Sequence, residues 1–158
     1  MASLAALLRI AADARYTDDA VDAVVQGFDG VSSRKAAGSY LRVAMILGLL
    51  EIDGPRCEVT PAGDAFLKRR GVKARQQVQE LLLSRVDGVE DLVDLIRERP
   101  RRIGLLLQEM NRLGFPWAKD TQVRYRLRWL EATGAVCREG RARPLYRLAD
   151  DSMTDGKG

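Results

Sequence analysis

Leu4, Leu7, Leu8 and Ala11 recur at the i, i+3, i+4, i+7 spacing that lays apolar side chains along one face of a helix, so a first helix is predicted over about residues 4–12. Thr17 reads as the N-cap of a second helix, with Asp18 and Asp19 in its first turn, where exposed N–H groups favour negative charge. The apolar stripe of that helix is Ala20, Val21, Val24, Val25 and Phe28, and Gly27 or Gly30 ends it. Ser32 or Ser33 opens a third helix running to about Leu47, with Gly48 as its stop. Here Ala36, Tyr40, Val43 and Leu47 are expected to face inward, leaving Lys35, Gly38, Ser39 and Arg42 outward and Arg34 in the first turn.

The period then shortens. Residues 49–52 and 57–60 read as two strands around the turn Asp53-Gly54-Pro55, and Thr60-Pro61 supplies the N-cap and first residue of another helix. That helix ends in Lys68-Arg69-Arg70, cations suited to its negative end, before Gly71. Helical patterns follow over 73–85, over 89–98, and from Ile103 to about Leu113. Gly114-Phe115-Pro116-Trp117 breaks the last of these, and a further helix runs from about Asp120 to Thr133, stopped by Gly134. Residues 135–138 and 145–148 look like two strands around a loop, and the polar end from Asp150 reads as a disordered tail.

One plan therefore occurs twice: helices, then an amphipathic helix closed by glycine, then two short strands. The expected fold is mainly α with small β-hairpins (α+β), two winged-helix modules in tandem joined by helices. The expected divisions are an N-terminal module over 1–71, a C-terminal module with connecting helices over 72–149, and a tail over 150–158.

Composition removes several chemistries. The chain has 158 residues, 46% of them apolar and 30% charged, the balance of a soluble globular protein. No apolar run approaches the roughly 20 residues a membrane span needs. The apolar start is followed by no small-residue cleavage site, so no signal peptide is read and the cytoplasm is the expected compartment. There is no histidine, which excludes Ser-His-Asp and Cys-His catalysis and histidine metal ligands. Cys57 and Cys137 lack Cys-x-x-Cys spacing, so a zinc site is excluded and each reads as a small buried thiol. Glu90, Asp91 and Asp94 start a helix and complement its dipole rather than hold a metal. Neither metal nor small-molecule cofactor is expected.

Charge adds direction. Residues 1–70 carry nine Lys/Arg and nine Asp/Glu, whereas 71–149 carry sixteen against ten. Within 119–147 there are eight bases, seven of them arginine, against three acids. With a sequence pI of about 9.3, this local excess points to a polyanionic partner.

The run Ser33-Arg34, then Tyr40-Leu41-Arg42-Val43-Ala44, Leu47-Gly48-Leu49-Leu50-Glu51 and Val59-Thr60-Pro61-Ala62-Gly63 resembles the tandem winged-helix (winged helix-turn-helix) DNA-binding proteins of prokaryotic restriction, phage-defence or regulatory type. Residues 121–136 are similar to the second winged helix of such pairs, and the resemblance spans about 17–148. It implies double-stranded DNA binding, and the expected function is non-enzymatic, sequence-specific binding of double-stranded DNA, as a transcription regulator or as the recognition part of a defence system. It brings no catalytic residue, and no nuclease signature is present.

The residues themselves nominate surfaces. In the 120–133 helix Val123, Leu127 and Leu130 share one side, and Thr121, Tyr125, Arg128 and Ala132 the other, with Gln122, Arg124 and Trp129 at the margins. Arginine can bond guanine bidentately, glutamine can do so to adenine, and Tyr or Thr can reach a phosphate. Arg138, Arg141 and Arg143 surround Gly140 in the second wing, suited to phosphates or a narrow minor groove, and Lys119 precedes the helix as a phosphate contact. In the first module Arg34, Lys35 and Arg42 either contribute to DNA contact or give way to a partner helix or dimer interface. Trp117 is expected to plug the core and Trp129 to pack against the wing. The rival reading is a protein-interaction or assembly module, which the neutral first half favours. Expected partners are double-stranded DNA and a homodimer or larger defence or regulatory partner, with no membrane.

Overall fold

A computed structural model describes residues 2–149, and the tail expected over 150–158 lies outside the described residues. Eight helices and five short strands are found among them, in two compact units that meet in sequence between Arg85 and Val86. The chain is mainly α with small antiparallel strand pairs.

In the first unit, α1 (Ala2–Ala14) buries the predicted stripe Leu4, Leu7, Leu8 and Ala11. The second helix, α2 (Thr17–Gly27), buries Ala20, Val21 and Val24. Thr17 does not cap it. Tyr16 is the N-cap residue, without a side-chain bond, and the Thr17 hydroxyl lies 3.4 Å from the carbonyl oxygens of Gly54 and Arg56. Those carbonyls, with the Thr17 N–H donating to Pro55 O at 2.8 Å, draw the start of α2 onto the first hairpin.

The third helix, α3 (Arg34–Ile46), is capped by Ser33, whose Oγ accepts from the Ala36 N–H at 3.2 Å. Its inward face is Ala37, Leu41 and Ala44 rather than the expected Ala36, Tyr40 and Val43, although Leu47 is buried as expected. The two alanines let α3 lie close to α1 and α2, which larger side chains at those positions would prevent. Tyr40 is 44% exposed, its ring tilted against Phe28 at 6.2 Å.

Strands β1 (Leu50–Asp53) and β2 (Arg56–Val59) form the predicted hairpin, paired from Leu50↔Val59 to Asp53↔Arg56. Its two-residue turn places Gly54 at φ +55, ahead of the proline whose ring fixes a negative φ. An isolated antiparallel bridge, Tyr16↔Arg56, adds a minimal third strand beside β2. Helix α4 (Pro61–Lys68) begins as read from sequence: Thr60 Oγ1 accepts from Gly63 N–H at 3.1 Å and donates to Gly48 O at 2.6 Å. Helix α5 (Gly71–Arg85) belongs to this unit, so the division falls later than residue 71; Gln77 Nε2 donates to Ala62 O at 3.3 Å, tying α5 to α4.

The second unit runs α6 (Val89–Glu98), β3 (Arg101–Arg102), α7 (Ile103–Arg112), α8 (Thr121–Thr133), β4 (Val136–Glu139) and β5 (Leu145–Leu148). Its sheet order is β3-β5-β4, all antiparallel. Strand β3 has no counterpart in the sequence reading. It exists because Arg101 pairs with Tyr146 and is itself 5% exposed, its Nε donating to Leu95 O at 2.8 Å and its Nη2 to Glu98 at 2.5 Å. Leu92, Ile96, Leu106, Met110, Val123, Leu127 and Leu130 fill the core. Helix, strand, helix, helix, strand, strand is thus the order here, and the Tyr16 bridge gives the first unit the same order. No helix among the described residues is long and apolar enough to cross a membrane.

Candidate nucleic-acid interface

Helix α8 presents its faces as the periodicity predicts. Val123, Leu127 and Leu130 are buried; Thr121, Gln122, Arg124, Tyr125 and Arg128 are exposed, Tyr125 to 56%. Gly134, at φ +76, ends the helix, and the Ala135 N–H donates to Leu130 O at 2.9 Å, so β4 leaves it at once. Helix and wing are tied again by Glu131 on α8 and Arg138 on β4, 3.7 Å apart. These two contacts fix the start of β4 against the C-terminal end of α8.

The exposed side chains of α8 differ in how free they are. Arg124 donates through Nε (3.1 Å) and Nη2 (2.7 Å) to the same Asp120 oxygen. This hydrogen bond holds the Asp120 carboxyl below the usual carboxylate range and raises the Arg124 pKa. Arg124 therefore keeps only part of its donor set for a ligand. Gln122 is engaged as well: Arg126 Nη1 donates to its Oε1 at 2.9 Å and to its backbone carbonyl at 3.1 Å. Arginine has no acceptor, so the Gln122 amide must turn its oxygen to Arg126 and its NH2 outward. The bidentate pairing with adenine expected from sequence needs both amide ends outward, and this arrangement disfavours it.

Arg126 is the residue that sequence reasoning missed. Its Nε donates to Asp87 O at 2.7 Å, and its guanidinium lies 4.5 Å from the Trp117 ring centre. Desolvation lowers its pKa, with Asp87 opposing. The available signal was its i+4 spacing from Gln122; the Trp117 and Asp87 contacts depend on tertiary structure. Trp117 packs at 4.9 Å from Phe115 and is half-buried, in keeping with a structural role.

Lys119, Arg128, Arg141 and Arg143 are exposed and have no ion-pair partner among the described residues. Arg141 and Arg143 lie in the turn that leaves β4 through Gly140 at φ +83. Arg147 is paired with Glu139 across the wing.

In the first unit the expected set divides. Arg34 is bonded to Asp18 at 2.7 Å and also to Asp22, so it joins α3 to α2 with its charge neutralised rather than standing ready for a phosphate. Lys35 and Arg42 are exposed, alongside Met45 at 39% and Ile46 at 44%. Among the described residues no group of three or more Cys, Asp and Glu is placed to hold a metal ion. Neither a protein-family model nor a curated protein matches the chain, so its own residues carry the functional argument.

Proposed function

We propose that the chain is a non-enzymatic binder of double-stranded DNA that uses α8 as its reading helix and the β4–β5 wing as a clamp, serving as a regulator or as the recognition part of a defence system. One observation carries this reading. Arg128 on the outward face of α8 and Arg141 and Arg143 on the wing are exposed without acidic partners among the described residues, as are Arg99 and Arg102 before α7, whereas Arg97, Arg101, Arg112, Arg124, Arg138 and Arg147 of the same unit are paired. Holding unpaired cations on one helix and its adjoining wing has an unfavourable self-energy that a phosphate backbone relieves.

In this reading Arg128 donates to guanine O6 and N7, and Gln122 donates its NH2 to a base acceptor such as guanine O6 or thymine O4. Tyr125 and Thr121 bond phosphates, as do Lys119 and, by releasing Glu131, Arg138, while Arg141 and Arg143 follow the backbone or enter the minor groove. Arg124 joins them by exchanging part of its Asp120 bond. The first unit favours a second reading for itself, assembly with a protein partner or second copy through α3, because Tyr40, Met45 and Ile46 are exposed there.

Amide chemical shifts followed while a mixed-sequence duplex is titrated into the chain test the proposal. Changes at residues 119–128 and 138–145 are expected. Saturable shifts that leave both stretches unmoved would sink it.

A further inference from the structure

The first unit is nearly neutral in sum but polarised along the chain. Residues 1–60 hold six Lys/Arg against eight Asp/Glu, whereas 61–85, which form α4 and α5, hold six against two. The excess is gathered in space. Arg69 is extended at φ −87 and ψ 151, and Gly71 at φ +57 turns the chain into α5. That corner places Lys68, Arg69, Arg70 and Lys73 around one concave surface, whose lining is completed by Gln76, Gln77 and the carboxylate of Glu80. The four cations are exposed and none has an ion-pair partner among the described residues. The first turn of α5 contains no acidic residue.

The dipole of α4 accounts for Lys68 in its last turn, but not for Arg69, Arg70 and Lys73, which lie beyond that helix or at the opposite, positive end of α5. Meanwhile α3, the helix equivalent to α8, faces the acids of α2: its Arg34 is consumed by Asp18 and Asp22. That leaves Lys35 and Arg42 as the unpaired cations of α3 among the described residues, against four at the α4–α5 corner.

We infer that the first unit contacts duplex DNA through the phosphate backbone at the α4–α5 corner, by Lys68, Arg69, Arg70 and Lys73, and not through α3. The inference rests on the DNA-binding reading and adds a site to it. Gln76 supplies a neutral donor beside the cations. Because phosphates are alike in every sequence, this corner adds affinity and salt dependence but no base preference.

The test uses the full chain and a mixed-sequence duplex, with affinity measured across a salt series. The variant K68Q/R69Q/R70Q/K73Q is compared with K35Q/R42Q and with wild type. Loss of up to four phosphate contacts is expected to make the log K against log salt slope shallower by about 2 to 4 and to weaken low-salt binding more than about tenfold. K35Q/R42Q is expected to stay within about twofold of wild type, since α3 makes no phosphate contact in this account. The single variant R70E, on an exposed side chain, repeats the direction of loss should the fourfold variant fold poorly. Wild-type binding with an unchanged slope in K68Q/R69Q/R70Q/K73Q and R70E overturns the corner while leaving α8 and the wing standing. A loss confined to K35Q/R42Q overturns it in favour of α3. Absence of wild-type binding at low salt overturns both readings together.

Discussion

Arg126 holds Gln122 by its amide oxygen, Nη1 to Oε1 at 2.9 Å, and is itself held by Asp87 O and the face of Trp117. A half-buried cation thus fixes the orientation of an exposed polar side chain on the outward face of α8. Replacing Arg126 by methionine removes its hydrogen bonds to Asp87 O, Gln122 O and Gln122 Oε1, of which the half-buried one to Asp87 is worth about 1.5–3 kcal/mol, and a cation–π contact of about 0.5–1 kcal/mol, while methionine restores part of the packing. A net loss of about 2 kcal/mol is expected in urea unfolding. Gln122→Ala, at an exposed position, is expected to stay within about 0.5 kcal/mol of wild type. Site selection with Arg126→Met is expected to relax base preference at one position, because the freed amide can turn either end to DNA. Unchanged preference and stability would show that Arg126 positions nothing.

Gly63 makes a prediction that opposes helix propensity. Alanine in place of an interior helical glycine ordinarily stabilises by about 1 kcal/mol. Here a Cβ would lie 2.2 Å from Leu49 O and 2.6 Å from Val59 Cγ1, and the first of these is backbone that cannot rotate away. Gly63→Ala is therefore expected to destabilise the first unit by about 1–3 kcal/mol, read as a fall in thermal midpoint. A rise would mean that α4 does not approach the hairpin so closely.

Cys57 is 1% exposed, and burial pushes its thiol pKa up. An unfolded thiol titrates near about 8.5, so the folded state binds this proton more tightly than the unfolded state. Its contribution to stability is intact below that value and is lost as pH rises through it towards the raised folded pKa. Between about pH 8 and about pH 10, wild type is expected to lose more stability than Cys57→Ala, by at most about 1.4 kcal/mol per pH unit. Urea midpoints across that range check this, and parallel curves for the two proteins would refute it. Alkylation is expected at the half-buried Cys137 before Cys57.

How much of this was legible in the sequence depends on how local its cause is. The faces of α8 could be read because Val123, Leu127 and Leu130 are the apolar set on one side and polar residues occupy the other. The α3 face could not, because Ala36, Tyr40, Val43 and Ala37, Leu41, Ala44 are two apolar sets about one position apart, and close approach to α1 and α2 selects the set with two alanines. Strand β3 is two arginines with no strand propensity, made extended by pairing with β5. At the candidate interface the residue types were visible but their engagement was not. The Asp120–Arg124 pair stands at i, i+4 and was open to local reading, but nothing in the local pattern sets Arg34, whose carboxylates come from α2, apart from Arg128, Arg141 and Arg143, which have no such partner among the described residues.

In the proposed function the exposed cations of α8 and its wing, unpaired among the described residues, bind duplex DNA. The most direct test is the affinity of wild type and of Arg128→Ala/Arg141→Ala/Arg143→Ala for one mixed-sequence duplex at about 50 mM and about 200 mM salt. All three side chains are exposed, so the variant is expected to unfold as wild type does. Wild-type binding is expected to weaken steeply with salt, and the variant to lose more than about tenfold in affinity with a slope shallower by about 2 to 3. Equal affinity and equal slope in the two proteins, or no wild-type binding at the lower salt, would contradict the proposed function.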